Sequence, residues 1–226
     1  MTTSQYLRKG FRDPFSERML SAARFESNLE FPWCEPEQEL PNKLITYSEA
    51  KYTKDYNQWI CFNEDDYKFL KEAWLDPKGM LNTVRKFRGT IGPDFSMYRD
   101  MPLLEQYFAS FMSRTFTQYW QRNGVHSIPN VRWADDRTFE ISCLGVPRCS
   151  TIAIGSLGCL RDRDNRRWFI EGLRYVVDRL EPTTIVVYGS TPNGIFGQYE
   201  QRGIRILRFA SKCERAHSKR VENGTR

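Results

Sequence analysis

Asp94 and Ser96 stand in the run Gly92–Asp100 (GPDFSMYRD), directly after an apolar, strand-like stretch. Gly-Pro first frees and then fixes the backbone ahead of them. Side chains alternate along a strand, so both share one face if the strand continues. A carboxylate beside a hydroxyl can serve as a base, a metal ligand or a hydrogen-bond anchor. It can equally cap a helix beginning near Met97 or Pro102. Asn130 and Trp133 close the next such stretch, Val125–Trp133 (VHSIPNVRW). An amide and an indole at a strand end can hold a planar, polar ligand such as a sugar or a base. Alternatively, Trp133 seals the mouth of the fold and Asn130 satisfies loop backbone. Asp135 and Asp136 follow, as further acids or as helix caps.

Two more strand-like runs end in glycine and serine. Ser156 lies in Gly155-Ser156-Leu157-Gly158, and Gly189 and Ser190 follow Tyr188. Glycines between a strand and a helix let backbone approach a phosphate, and a helix N-terminus supplies N–H donors. The first is neither a Walker A motif nor a full G-x-G-x-x-G, and ordinary tight turns explain both. Arg161, Arg163, Arg166 and Arg167 form a charged run that can hold phosphates or simply be the solvated start of a helix. Nucleophilic catalysis has little support, because there is no G-x-S-x-G elbow and His126 and His217 are the sole histidines. Any catalysis falls to carboxylates or to a metal on oxygen ligands, with Asp94 the first candidate.

These residues need a scaffold, and the chain is long enough for one. It has 226 residues, 40% of them hydrophobic, and a net charge of +6 that permits an acidic partner without demanding one. Its six cysteines show no C-x-x-C pair, and two histidines make a zinc site of the usual spacings unlikely, so no metal site is assigned. Reduced thiols suit a cytoplasmic protein. No apolar stretch is long enough to span a bilayer, and the N-terminus lacks an apolar signal core.

Short strands are expected at 43–47 and 58–62, with Asn63 as N-cap of a helix over 64–75. A helix at Pro77–Phe87, a strand at Thr90–Phe95 and a long amphipathic helix at Pro102–Arg122 follow, the last stopped by Asn123-Gly124. Val125–Val131 is a strand broken by Pro129. Strands at Thr151–Ile154, Thr183–Tyr188 and Gly203–Phe209 alternate with a helix at Arg161–Leu180 and a short helix or loop at Asn193–Arg202. The rhythm implies an α/β fold with right-handed crossovers and a mostly parallel sheet. Seven strands suit an irregular or incomplete TIM-like barrel, with an open three-layer sandwich as the alternative. Residues 1–42 read as an arm packed on the core, with a short helix at Pro14–Phe25. Residues 43–210 read as a single domain and 211–226 as a basic flexible tail.

The blocks Gly92–Ser96, Tyr119–Gly124 (YWQRNG), Ile128–Trp133 (IPNVRW), Ser150–Gly158 and Val187–Gly189 resemble, in this order, the DUF4417 proteins. These are domains of unknown function found in bacterial genomes, phages and other mobile elements. The resemblance covers roughly residues 40–210. It implies a phage or mobile-element origin and a bacterial host cytoplasm, and it transfers no catalytic residue. The expectation is a protein that binds a small polar or phosphate-bearing ligand, such as a nucleotide, at the carboxyl ends of the strands, and that could hydrolyse it. Asp94 would be the catalytic or anchoring group, and Ser96, Asn130, Trp133, Ser156, Gly189 and Ser190 the ligand contacts. The alternative is a non-enzymatic nucleic-acid or host-factor partner using Arg161, Arg163, Arg166 and Arg167, with Lys219 and Arg220. Cofactor and oligomeric state are not legible.

Overall fold

A computed structural model describes Asp13 and residues 15–224, with side chains as far as Ser218. The rest of the arm, the final two residues, and the Lys219 and Arg220 side chains lie outside the described residues. Where a helix was expected at Pro14–Phe25, the arm makes a 3-10 turn at Glu17–Leu20, capped by the Asp13 carboxylate through Glu17 N–H (2.8 Å) and Arg18 N–H (3.1 Å). It then makes an antiparallel pair, β1 (Phe25–Glu26) and β2 (Phe31–Pro32). Met19 is buried, and its carbonyl accepts from Gln118 Nε2 (2.8 Å) of the long central helix.

Two parallel sheets follow. β3 (Leu44–Thr46), β4 (Trp59–Cys61), β5 (Gly89–Ile91) and β6 (Ser127–Ile128) pair in that order, as do β7 (Thr151–Gly155), β8 (Thr184–Tyr188) and β9 (Arg205–Phe209). A parallel bridge between Asn130 and Ala153 joins the sheets. Val131 N–H donates to the Ala153 carbonyl (2.7 Å) and Ala153 N–H to the Pro129 carbonyl (2.9 Å). Pro129 thus contributes only an acceptor, the one ladder role open to proline.

Helices connect the strands: α1 (Tyr47–Ala50), α2 (Leu70–Leu75), α3 (Pro77–Val84), α4 (Leu103–Arg122), α5 (Phe139–Cys143), α6 (Arg163–Leu180), α7 (Asn193–Gln201) and α8 (Lys212–Gly224). One face of the strands packs beneath them. Ile45, Ile60 and Phe62 join Met80, Phe116 and Trp120, while Ile152, Ile154 and Ile185 join Phe169, Leu173 and Phe196. The opposite face gathers residues from all seven parallel strands, among them Leu44, Cys61, Ile91, Ile128, Ala153, Val186 and Leu207, into a single cluster. That is a curved sheet folded on its own inner face. No β3–β9 pairing occurs among the described residues, so the parallel α/β class holds and closure into a barrel is not established.

Two further expectations change. The expected helix from Glu64 is replaced by a 3-10 turn at Asp66–Lys68 and then α2, so Asn63 caps nothing. The segment read as a flexible tail forms α8. Its start is a reciprocal cap: Ser211 Oγ accepts from Glu214 N–H (3.2 Å), and Glu214 Oε2 accepts from Ser211 N–H (2.7 Å). Arg215 then ties α8 to Glu49 of α1 (2.6 Å), and Lys212 N–H donates to the Tyr188 hydroxyl (2.8 Å).

Candidate functional site

Asn63, Asp94 and Asn130 lie just beyond the carboxyl ends of β4, β5 and β6, and the three side chains meet. Asp94 is 8% exposed. Its Oδ1 accepts from Asn130 Nδ2 (2.9 Å), and its Oδ2 from Asn63 Nδ2 (2.9 Å) and Arg132 Nη1 (3.0 Å). Gly155 at the end of β7 makes room for this knot. A Cβ there would lie 2.9 Å from Asn63 Nδ2 and 3.3 Å from Asp94 Oδ2. Both carboxylate oxygens thus face donors, one of them a cation. Such a group is a strong acceptor and a good anchor for an arginine.

Arg132 carries the site outward. Its side chain is 32% exposed and lines a cleft of about 650 Å³. Burial works against its charge, but the Asp94 carboxylate outweighs that and raises its pKa above the ordinary arginine value. Arg132 Nε and Asn130 Oδ1 are buried without a partner among the described residues. Tyr98, Trp133 and Trp168 give the cleft aromatic walls, and Arg99 and Asp100 its charged rim. The rim is braced: Arg99 Nη2 donates to Asn165 Oδ1 (3.0 Å) and Arg137 Nη2 to the Arg99 carbonyl (2.8 Å). Arg137 is itself ion-paired with Asp135 (2.7 Å), whose carboxyl is held down chiefly by that contact. No group of three or more His, Cys, Asp or Glu side chains placed to hold a metal occurs among the described residues.

The other residues singled out in the sequence fall into three places. Trp133 lines the cleft, with its indole N–H on the Trp168 carbonyl (3.0 Å) and its ring against Phe169. It sits in a notch made by Gly172 of α6, where a Cβ would lie 2.1 Å from Trp133 Nε1. Ser96 is outside the cleft lining. Its N–H donates to Asp66 (3.0 Å), whose carboxyl is pushed up mainly by burial. Ser156, Gly189 and Ser190 are also outside the lining and make a tie between loops: Ser156 Oγ donates to the Ser190 carbonyl (2.8 Å) and Gly189 N–H to the Phe209 carbonyl (2.9 Å). Arg161, Arg163, Arg166 and Arg167 are exposed around the first turns of α6, whose Asn165 and Trp168 line the cleft. Asp162 caps α6 by accepting from Asn165 N–H (2.9 Å). That helix end is therefore already occupied by a carboxylate.

Sequence reasoning read Asn63 as a helix cap and placed Gly155 in a glycine turn, and it passed over Arg132 and Arg114. Arg132 was nevertheless legible, since it lies between Asn130 and Trp133 in the block already singled out, and both Arg132 and Trp133 line the cleft. Arg114 of α4 is 1% exposed and pairs with no carboxylate among the described residues. It donates to the carbonyls of Asn130 (2.6 Å), Ser142 (2.6 Å) and Leu144 (3.0 Å), and burial lowers its pKa.

Strand order and cleft position together define a parallel α/β protein whose candidate site opens at the carboxyl ends of its strands. The chain belongs to the family described as Domain of unknown function (DUF4417), which matches residues 23–210. It is similar to the Gene 1 protein of Mycobacterium phage L5, with 33% identity over 171 residues, covering 73% of this chain and 74% of that one. It is also similar to the Gene 1 protein of Mycobacterium phage D29, with 30% identity over 166 residues, covering 72% of this chain and 61% of that one, under two thirds of its length. No solved structure matches. This is a phage-type protein, and no helix among its described residues is long and apolar enough to cross a membrane.

Proposed function

We propose that the protein binds a small, planar, anion-bearing ligand in the cleft at the strand ends, with Arg132 as the anion's anchor. The observation that supports this reading is the Asp94–Arg132 pair. A carboxylate clamped by two amides holds a guanidinium at the cleft wall, and a third of the arginine side chain stays open to the cleft. Arginine held in this way keeps its remaining N–H groups pre-aimed, which lowers the cost of ordering it on a ligand. Tyr98, Trp133 and Trp168 would stack on the planar part. Asp94 acts in this reading as a positioning residue, because all three of its contacts are donors already engaged, and hydrolysis is not needed to account for the site.

The test is titration of the whole protein with nucleoside monophosphates and inorganic phosphate, followed by tryptophan fluorescence, since two tryptophans line the cleft. Arg132→Met keeps most of the packing volume and removes the anchor. It should weaken monophosphate binding by roughly tenfold or more, the loss expected for one charge-assisted contact. The variant should still fold, with a melting temperature lowered by a few degrees because Asp94 loses its cation but keeps both amides. Undiminished binding in that variant would remove Arg132 from its assigned role.

A further inference from the structure

We propose that the cleft receives one nucleotide of a single-stranded nucleic acid, and that Arg161, Arg163 and Arg166 on its rim carry the neighbouring phosphates. This rests on the reading of the cleft as a site for a planar, anion-bearing group and names the class of molecule that brings it.

Charge decides first between a free nucleotide and a strand. The charged side chains lining the cleft are Arg99 and Arg132 against Asp94 and Asp100, so they balance. Asp94 already faces Arg132 at 3.0 Å. A nucleoside triphosphate would bring several negative charges into a lining with no surplus to meet them, and like charges at close range in a partly desolvated site are costly. A phosphodiester brings one charge, which the exposed part of Arg132 can hydrogen-bond.

The unspent cations lie just outside. Most arginines with described side chains outside this region are tied down, as in Arg148–Glu181 (2.9 Å), Arg202–Asp178 (3.2 Å) and Arg208–Glu214 (3.0 Å). Arg161, Arg163 and Arg166 are exposed, and no carboxylate lies within ion-pair distance of them among the described residues. Of the two aspartates interleaved with them, Asp162 is engaged in the cap of α6. Asn165 and Trp168 of the same helix line the cleft. At a rise of about 1.5 Å per residue, Arg163 and Arg166 of α6 stand within roughly one turn of its edge, and Arg161 lies just ahead of the helix. A strand with one base among Tyr98, Trp133 and Trp168 would lead its backbone directly across them. Aromatic stacking beside a basic track is the usual chemistry for single strands. A duplex would not satisfy it, since a base can enter a concave cleft only after leaving its stack.

The experiment compares a fluorescein-labelled oligothymidylate, its duplex with oligoadenylate, dTMP and dTTP, using the full chain at low and moderate salt. The expected result is oligothymidylate binding at least about tenfold tighter than dTMP at low salt, with an affinity that falls steeply as salt rises through counterion release. Replacing Arg161, Arg163 and Arg166 together by Ala should bring the oligonucleotide down to the affinity of dTMP and leave dTMP itself unchanged. Arg132→Met should weaken both. An oligonucleotide no tighter than dTMP, a preference for dTTP or for duplex, or strand binding that ignores Arg132→Met would overturn the proposal and leave the cleft reading standing. No binding of dTMP, phosphate or oligonucleotide would remove the cleft reading beneath it.

Discussion

Replacing Asp94 by Ala and by Asn should have very different costs, and the difference follows from one unpaired atom. Asp94→Ala strips the acceptor from the Asn63 and Asn130 amides and from Arg132, in a site where the carboxylate is 8% exposed. A buried donor left without a partner costs about 1–3 kcal/mol, and breaking a buried ion pair about 3–5 kcal/mol. Arg132 is 32% exposed and can draw on water, which places the total near the low end, at about 3–4 kcal/mol. Asp94→Asn should keep all three contacts. Its carbonyl oxygen accepts from Asn63 and Arg132 as Oδ2 does now, and its amide nitrogen faces Asn130. Turning the Asn130 amide over then presents Oδ1, which has no partner among the described residues in the native arrangement, as the new acceptor. What is lost is charge assistance, about 1–2 kcal/mol. For a chain of this length each kcal/mol moves the melting temperature by about 2–4 °C, so the Ala variant should melt roughly 6–16 °C lower and the Asn variant roughly 2–8 °C lower. Urea unfolding of the three proteins, with unchanged m-values, gives the free energies directly. Equal losses in the two variants, or an Ala variant within about 1 kcal/mol of the parent, would refute the clamp as described.

Two further outcomes test its surroundings. Gly172→Ala places a Cβ 2.1 Å from Trp133 Nε1, so the indole must leave its notch and its bond to the Trp168 carbonyl. Overpacking of this kind costs about 1–3 kcal/mol and should shift tryptophan emission, and an unchanged emission maximum and stability would contradict the packing. Burial pushes the Glu49 carboxyl up, but hydrogen bonds from Thr46 and the Arg215 guanidinium overcome it, leaving the pKa below the ordinary glutamate value. Glu49 therefore contributes stability that is present above its unfolded value, about pH 4.3, and is lost as pH falls through the lower folded value. Glu49→Gln should lower the melting temperature at neutral pH by a margin worth about 1 kcal/mol or less, since the pair is about a third exposed, and that margin should close in acid. A margin that does not depend on pH would detach Glu49 from the docking of α8.

How far the site could be read from the sequence depended on whether its cause was local. The β-branched runs 151–154 and 183–188 and the apolar stripe of α4 announce their elements through periodicity, and the structure shows them nearly as expected. Three of the four strand ends singled out contribute cleft residues: Asp94 from the first, Arg132 and Trp133 from the second, Gly155 and Leu157 from the third. The fourth, at Gly189-Ser190, is spent on tying loops together. Asn63 was misread because an asparagine ahead of three acidic residues looks like a helix cap, and only the long-range approach of Asp94 reveals its use. The start of α8 was local and legible, since Ser211 and Glu214 have the spacing of a capping box. Basic composition drew attention away from it.

Asn130 shows why fold and site cannot be separated in this chain. Its backbone forms the bridge to Ala153 that joins the two parallel sheets, its carbonyl accepts from the buried Arg114, and its amide holds Asp94. Arg114 has no carboxylate partner among the described residues, and it donates to backbone carbonyls. Its fork spans carbonyls from the end of β6 and from the segment around α5, which brings both to a fixed distance from α4. A lysine could not do this, because one ammonium cannot present donors in the plane and spacing of a guanidinium. The orientation of Arg132 at the cleft therefore depends on a chain of contacts running through Asp94 and Asn130 to the sheet junction. Substitutions at Asn130 should disturb stability and the proposed ligand binding together, whereas Arg132, at the open end of that chain, is the position where the proposed binding can be weakened at the smaller cost to the scaffold.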